Sequence, residues 1–167
     1  NIDDFTPFFL KKPRLEGTLT GTITLKDPFG KQIIEYDALA ENFKLDDKDI
    51  GNTTLKGDVN TTTGQVKFKA GADTKLYKFN VDGSINYKDT LDNRMNIDFL
   101  AEHFDIGLLD NYLGSIFSNM QGDAASNLKI SGSGDSKSIT GSVTITDGSL
   151  KVKYTQCKYL FSNETII

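Results

Sequence analysis

The chain contains no tryptophan, one histidine, one cysteine and three prolines in 167 residues. A single His and a single Cys exclude an internal disulfide, most zinc sites and any His-centred relay, which needs partners of its own kind or a paired base. No apolar run is longer than three residues, as in Phe8 to Leu10, far short of the ~18 needed to cross a bilayer as a helix. Nineteen basic side chains against twenty-three acidic ones give a net charge of −4, with no clustered basic footprint for nucleic acid. No initiator Met or targeting segment is present. The chain starts on NIDDF and stops on FSNETII, in mid-pattern, and reads as a piece of something longer.

What the sequence does have is strand and turn chemistry. There are seventeen Thr, fifteen Gly and twelve Asn, residues that favour water-facing strands and tight turns, while helix formers are sparse. Alternation is the dominant signal. In GTLTGTITLKD (17–27), Leu19, Ile23 and Leu25 oppose four threonines, giving one dry and one wet face. The same period places Val66 and Phe68 together, then Phe79, Val81, Ile85 and Tyr87, then Leu128 and Ile130, then Val143 and Ile145, and finally Val152. Turn signals at Asp27-Pro28-Phe29-Gly30, Thr63-Gly64, Gly132-Ser-Gly134-Asp and Asp147-Gly148 separate eleven or twelve expected strands. The fold class is therefore all-β, in one unit over 1–167. Gly21, Gly83 and Gly141 recur inside strands, which predicts bends, bulges or close approach to the sheet.

One stretch departs from period 2. In 105–122, Ile106, Leu109, Leu113, Ile116, Phe117 and Met120 have helical spacing, with Asp105 as N-cap and Gly122 as stop, so a short amphipathic helix is expected over about 105–120.

Catalytic constellations are weak. His103 lies between Glu102 and Asp105 on a strand, where neighbours diverge, and reads as a surface residue at a strand end. The acidic run Lys44 to Gly51 lacks calcium-loop spacing and reads as a solvated hairpin tip. Cys157, without a base to activate it, reads as a half-buried strand residue. Sequons at Asn52, Asn60 and Asn163, and an acidic-hydroxyl-aliphatic triplet at Asp89-Thr90-Leu91, are short enough to arise by composition. No metal, cofactor or enzymatic activity is expected.

The apolar face needs cover, and one helix is too little. Either two layers close on each other, or the sheet curls into an open trough that accepts acyl chains. The side-chain pattern leaves both open.

The segment 111–155 resembles the C-terminal domain of the TamB family of AsmA-like envelope proteins. An apolar segment leads to Gly122, then to the strand Leu128, Ile130, Gly132, a polar turn, and Ile139, Gly141, Val143, Ile145, Asp147, Gly148. PRLEGTLTGTITLKD (13–27) resembles the family's other recurrent strand pair. The resemblance implies an elongated, taco-like curved antiparallel sheet with an open hydrophobic groove. It also implies a periplasmic location in a diderm cell, an inner-membrane anchor on the full-length protein and an Omp85-type (TamA-like) outer-membrane barrel partner. The activity implied is phospholipid movement between membranes and support of outer-membrane assembly, with β-augmentation on the barrel partner as the alternative. On this reading Leu19, Ile23, Leu25, Val66, Phe68, Phe79, Val81, Ile85, Tyr87, Leu128, Ile130, Val143, Ile145 and Val152 form the lipid floor, and Gly21, Gly83 and Gly141 permit its curvature.

Overall fold

The computed structural model describes residues 14–88, 95–110, 114–133 and 136–167, so the triplet at 89–91 lies outside the described residues. Strict period-2 patterning and short polar turns leave each strand one way to go, back beside its predecessor. The result, among the described residues, is a single open, curved antiparallel sheet whose nine strands lie in chain order, β1 to β9, with β1 and β9 outermost. The strands are β1 (Leu15–Lys26), β2 (Ile33–Leu45), β3 (Lys48–Asn60), β4 (Gln65–Asp73), β5 (Tyr77–Asn86), β6 (Met95–Asp105), β7 (Phe117–Ser133), β8 (Ser136–Val152) and β9 (Lys158–Ile166).

Several sequence expectations hold. The turn after Lys26 and the turn at 61–64 join consecutive strands. The tip of the acidic run is Asp46-Asp47, both at positive φ, which is the twist a two-residue hairpin loop requires.

Three expectations are corrected. Among the described residues nine strands stand where eleven or twelve were expected, because the strands are longer than their sequence signals. Asp147-Gly148 is the clearest case: it lies inside the 17-residue β8 as a bulge, with Asp147 at φ 47°, rather than as a turn. The helix expected over 105–120 is the second. Asp105 does act as a cap, accepting from the Gly107 amide at 2.8 Å, but it caps only a 3-10 turn over Ile106–Leu109. From Phe117 the chain is strand, so Phe117 and Met120 pack from a sheet and Gly122 ends nothing. Asn111, Tyr112 and Leu113 lie outside the described residues. The third is Cys157, which is exposed in the β8–β9 connection instead of half-buried in a strand.

Buried side chains gather at one end of the sheet. Tyr77, Phe104, Ala124 and Ile145 lie opposite one another across four strands and form the centre of the core. The 3-10 turn adds Ile106 to this cluster, and Leu108 and Leu109 pack against it. Phe99 links the cluster to the rest of the sheet, meeting Phe104 edge-on at 5.7 Å and Phe79 at 5.9 Å.

Candidate functional site: an uncovered apolar sheet face

Antiparallel pairing puts residues directly opposite one another on the same face, so the register converts strand patterns into rows that run across the sheet. Four such rows make the floor. Nearest the β1–β2 turn runs Leu25, Ile34, Val59, Val66, Ile85 and Met95. Beside it runs Ile23, Tyr36, Gly57, Phe68, Gly83, Ile97, Ile130 and Ile139. The third is Gly21, Ala38, Leu55, Ala70, Val81, Phe99, Leu128 and Gly141, and the fourth Leu19, Ala40, Thr53, Ala72, Phe79, Ala101, Ser126, Val143 and Ile166. From β1 to β6 no charged residue enters these four rows; on β7 and β8 the register continues the first row to Gly132 and Lys137.

The three mid-strand glycines expected from sequence all lie on this floor. An added Cβ at Gly83 would meet the Phe68 ring at 2.6 Å, so the missing side chain is the space into which Phe68 leans. Gly57 does the same for Tyr36, whose hydroxyl would be 2.5 Å from a Cβ there; its role was not legible in sequence, since it sits in no alternating apolar run. Gly141 is at φ +128°, and a Cβ would fall 2.0 Å from the Asn127 carbonyl oxygen. At Gly21 the β2 backbone at Asp37 comes equally close. Glycine here lets neighbouring strands and rings approach.

The opposite face is wet and charged. One row there reads Thr22, Asp37, Lys56, Lys69, Asp82, Asp98, Lys129 and Thr140. Exposed ion pairs join Lys56 to Asp37 at 2.9 Å and Lys69 to Asp82 at 2.7 Å, each worth at most about 1 kcal/mol. A hollow of about 520 Å³ lies along these side chains. It is the larger of the two hollows that matter, yet its walls are solvated charges of both signs, with no feature that selects a ligand. The apolar hollow, about 430 Å³, runs along Leu19, Gly21, Ile23, Ile34, Tyr36, Ala38 and Leu55. Burial, and then the nearby Asp58 carboxylate, raise the Tyr36 phenol above its ordinary pKa, so it stays neutral at the floor.

The sequence-derived floor residues divide into two groups. Leu19, Ile23 and Leu25 are 48%, 76% and 57% exposed, and Val66, Phe68, Val81, Ile85, Leu128 and Ile130 are half-buried on the same face with no second layer over them among the described residues. Ile145 is dry core, Phe79 and Val143 pack against that core, and Val152 faces Phe117 beside it. Tyr87 is a correction: it lies past the end of β5, and its hydroxyl donates back to the Thr61 carbonyl at 3.5 Å, so it belongs to the turn and to no row. Two hydroxyls that sequence reading did not single out, Thr53 and Ser126, are buried in the fourth row without a hydrogen-bond partner. The signal was present as a polar residue in an apolar register position, visible only once the partner strands are known.

His103 lies two residues before the end of β6, half-buried in a bulge rather than on the surface, with one ring nitrogen 2.7 Å from the Lys75 carbonyl and the other against the Asp123 carboxylate. It ties the β4–β5 turn to β7. Among the described residues no cluster of His, Cys, Asp and Glu could hold a metal. No family model, no curated protein and no solved structure matches the chain.

Proposed function

We propose that the chain is a lipid-carrying segment of a TamB-like envelope protein, and that its apolar sheet face holds the acyl chains of phospholipid moving between inner and outer membrane. The observation that carries this reading is the band of three rows free of charge and without a layer over them from β1 to β4 among the described residues, flanked by a fourth row that is buried at Ala40, Thr53 and Ala72. An apolar face of this size costs free energy in water at roughly 25 cal/mol per Å², and acyl chains remove that cost without needing hydrogen bonds. Rows that run across strands give such chains a track whose length grows with strand number, at about 4.8 Å per strand. A periplasmic location, an inner-membrane anchor on the full-length protein and an Omp85-type barrel partner belong to the same proposal and rest on the family resemblance of 13–27 and 111–155. The protein acts as a conduit, without chemistry of its own.

The test is native mass spectrometry of the purified chain with organic extraction of what co-purifies, beside binding of a fluorescent long-chain fatty acid. Val66→Arg and Ile85→Arg place a charge on the floor and are expected to abolish acyl binding. Ser84→Arg, on the wet face, is expected to leave it intact. Equal binding by folded Val66→Arg and wild-type chains would remove the floor from the account.

A further inference from the structure

Two aromatic rings on the floor use the same packing and differ by a hydroxyl. Tyr36 of β2 leans over Gly57 of β3, where an added Cβ would meet its Cζ at 2.8 Å. Phe68 of β4 leans over Gly83 of β5, where an added Cβ would meet its Cζ at 2.6 Å. Because Phe68 fills its place without an oxygen, ring packing does not account for the phenol at Tyr36. Across the first three rows, from β1 to β6, the Tyr36 hydroxyl is the one side-chain oxygen or nitrogen; Thr53, in the fourth row, is buried. Among the described residues its one hydrogen bond runs to the Lys67 carbonyl at 3.5 Å. A well-made O–H···O bond is about 2.5–3.0 Å, so this donor is underused. The residue is half-buried and lines the apolar hollow together with Ile34, Ala38 and Leu55.

We propose that the Tyr36 hydroxyl donates a hydrogen bond to the ester carbonyl of the bound lipid, and that the floor thereby prefers esterified acyl chains to chains without a carbonyl. This inference rests on the acyl-chain reading and adds to it the feature by which a chain is recognised. A phenol raised above its ordinary pKa stays protonated at neutral pH and donates. A chain lying over the ring shuts water away from that hydroxyl. A plain hydrocarbon then leaves the donor with its long contact to Lys67, whereas a carbonyl completes it. The acceptor is neutral for a second reason. From β1 to β6 the rows hold no cation to pair with an anionic oxygen, and the Asp58 carboxylate acts on the phenol. An unpaired anion set there would be costly, and an ester carbonyl carries no charge.

The test is displacement of the fluorescent fatty acid from the purified chain by two competitors, a long-chain fatty acid methyl ester and the alkane of equal length. Tyr36→Phe gives Gly57 the ring that Gly83 already has, and is expected to fold like wild type. Its affinity for the ester is expected to fall about three- to tenfold, with that for the alkane unchanged. Comparing each competitor between the two proteins cancels its own solubility in water. An ester labelled with carbon-13 at the carbonyl gives a second readout. Its infrared carbonyl band is expected at lower wavenumber on wild type than on Tyr36→Phe. Unchanged ester affinity in the folded variant overturns the proposal, and so does equal loss of ester and alkane, which would make the hydroxyl structural. A carbonyl band on wild type at its position in dry hydrocarbon overturns it without any variant. In these three cases both competitors still bind wild type and the acyl-chain reading stands. Binding of neither ester nor alkane to wild type overturns both readings together.

Discussion

The apolar face has one end that is dry and one region that is bare, although both are written in the same alternating code. Around Tyr77, Phe104 and Ile145, side chains are within a few per cent of complete burial, whereas Leu19, Ile23 and Leu25 on β1 are about half exposed or more. Strand pattern does not distinguish them: Ile145 in TITDG and Ile23 in TITLK occupy equivalent positions in near-identical local sequence. What differs is the β6–β7 connection, which lays Ile106 into the core and Leu108 and Leu109 against it. Among the described residues no connection of that kind reaches β1, whose nearest turns are at 27–32 and 46–47. Alternation thus determines which face is dry-seeking, and the connections determine which part of it becomes dry.

The largest effect expected from breaking this contrast is at its centre. Phe104→Ala should cost about 3–5 kcal/mol of stability in urea or thermal unfolding, while Val66→Ala on the uncovered floor should cost well under half of that. Equal losses at the two sites would mean that the floor is covered in solution. Gly141→Ala is expected next, at about 1–3 kcal/mol, since a Cβ at φ +128° is strained and also meets the Asn127 carbonyl. Ile23→Arg, on the bare side, should change stability by no more than about 0.5 kcal/mol. Its melting curve should overlie that of wild type.

A smaller effect is expected in alkali. Burial first, then the Asp105 and Asp49 carboxylates, raise the Tyr77 phenol above its ordinary 10.0. The folded state therefore holds this proton more tightly than the unfolded one. Its contribution is complete below pH 10 and is lost as pH rises from there toward the folded-state pKa. Tyr77→Phe should flatten the fall in stability above pH 10, measured by denaturant titration at successive pH values. An unchanged slope would place the phenol in water. Smallest of all, Cys157→Ser in its exposed connection should leave stability and acyl binding unchanged.

Much of this architecture was legible beforehand because its causes are local. The all-β class and the acidic hairpin tip depend on residues within a few positions of one another, and so does the Asp105 cap. The face on which Leu19, Ile23, Val66, Phe68 and Ile130 lie is set by period 2 alone. The helix over 105–120 failed at Phe117, because a stretch with helical spacing was claimed by pairing with β8, from Phe117 opposite Val152 onward. Local periodicity yielded to the hydrogen bonds of a ladder. Asp147-Gly148 failed for a related reason: a turn signal inside a long ladder is absorbed as a bulge when strands on both sides hold it. Tyr87 kept its parity but ran out of strand.

Composition and alternation by themselves determined that this chain forms strands, that each strand has one dry face, and that glycines stand where strands or rings approach. Those are properties of single residues and their neighbours. Only the tertiary structure decided that Gly57 makes room for Tyr36, that Thr53 and Ser126 are buried among apolar side chains, and that Ile145 is core while Ile23 is in water. Each of these depends on what lies opposite in another strand or above the sheet. Register and cover arise from pairings between residues far apart in sequence, and no local pattern contains them.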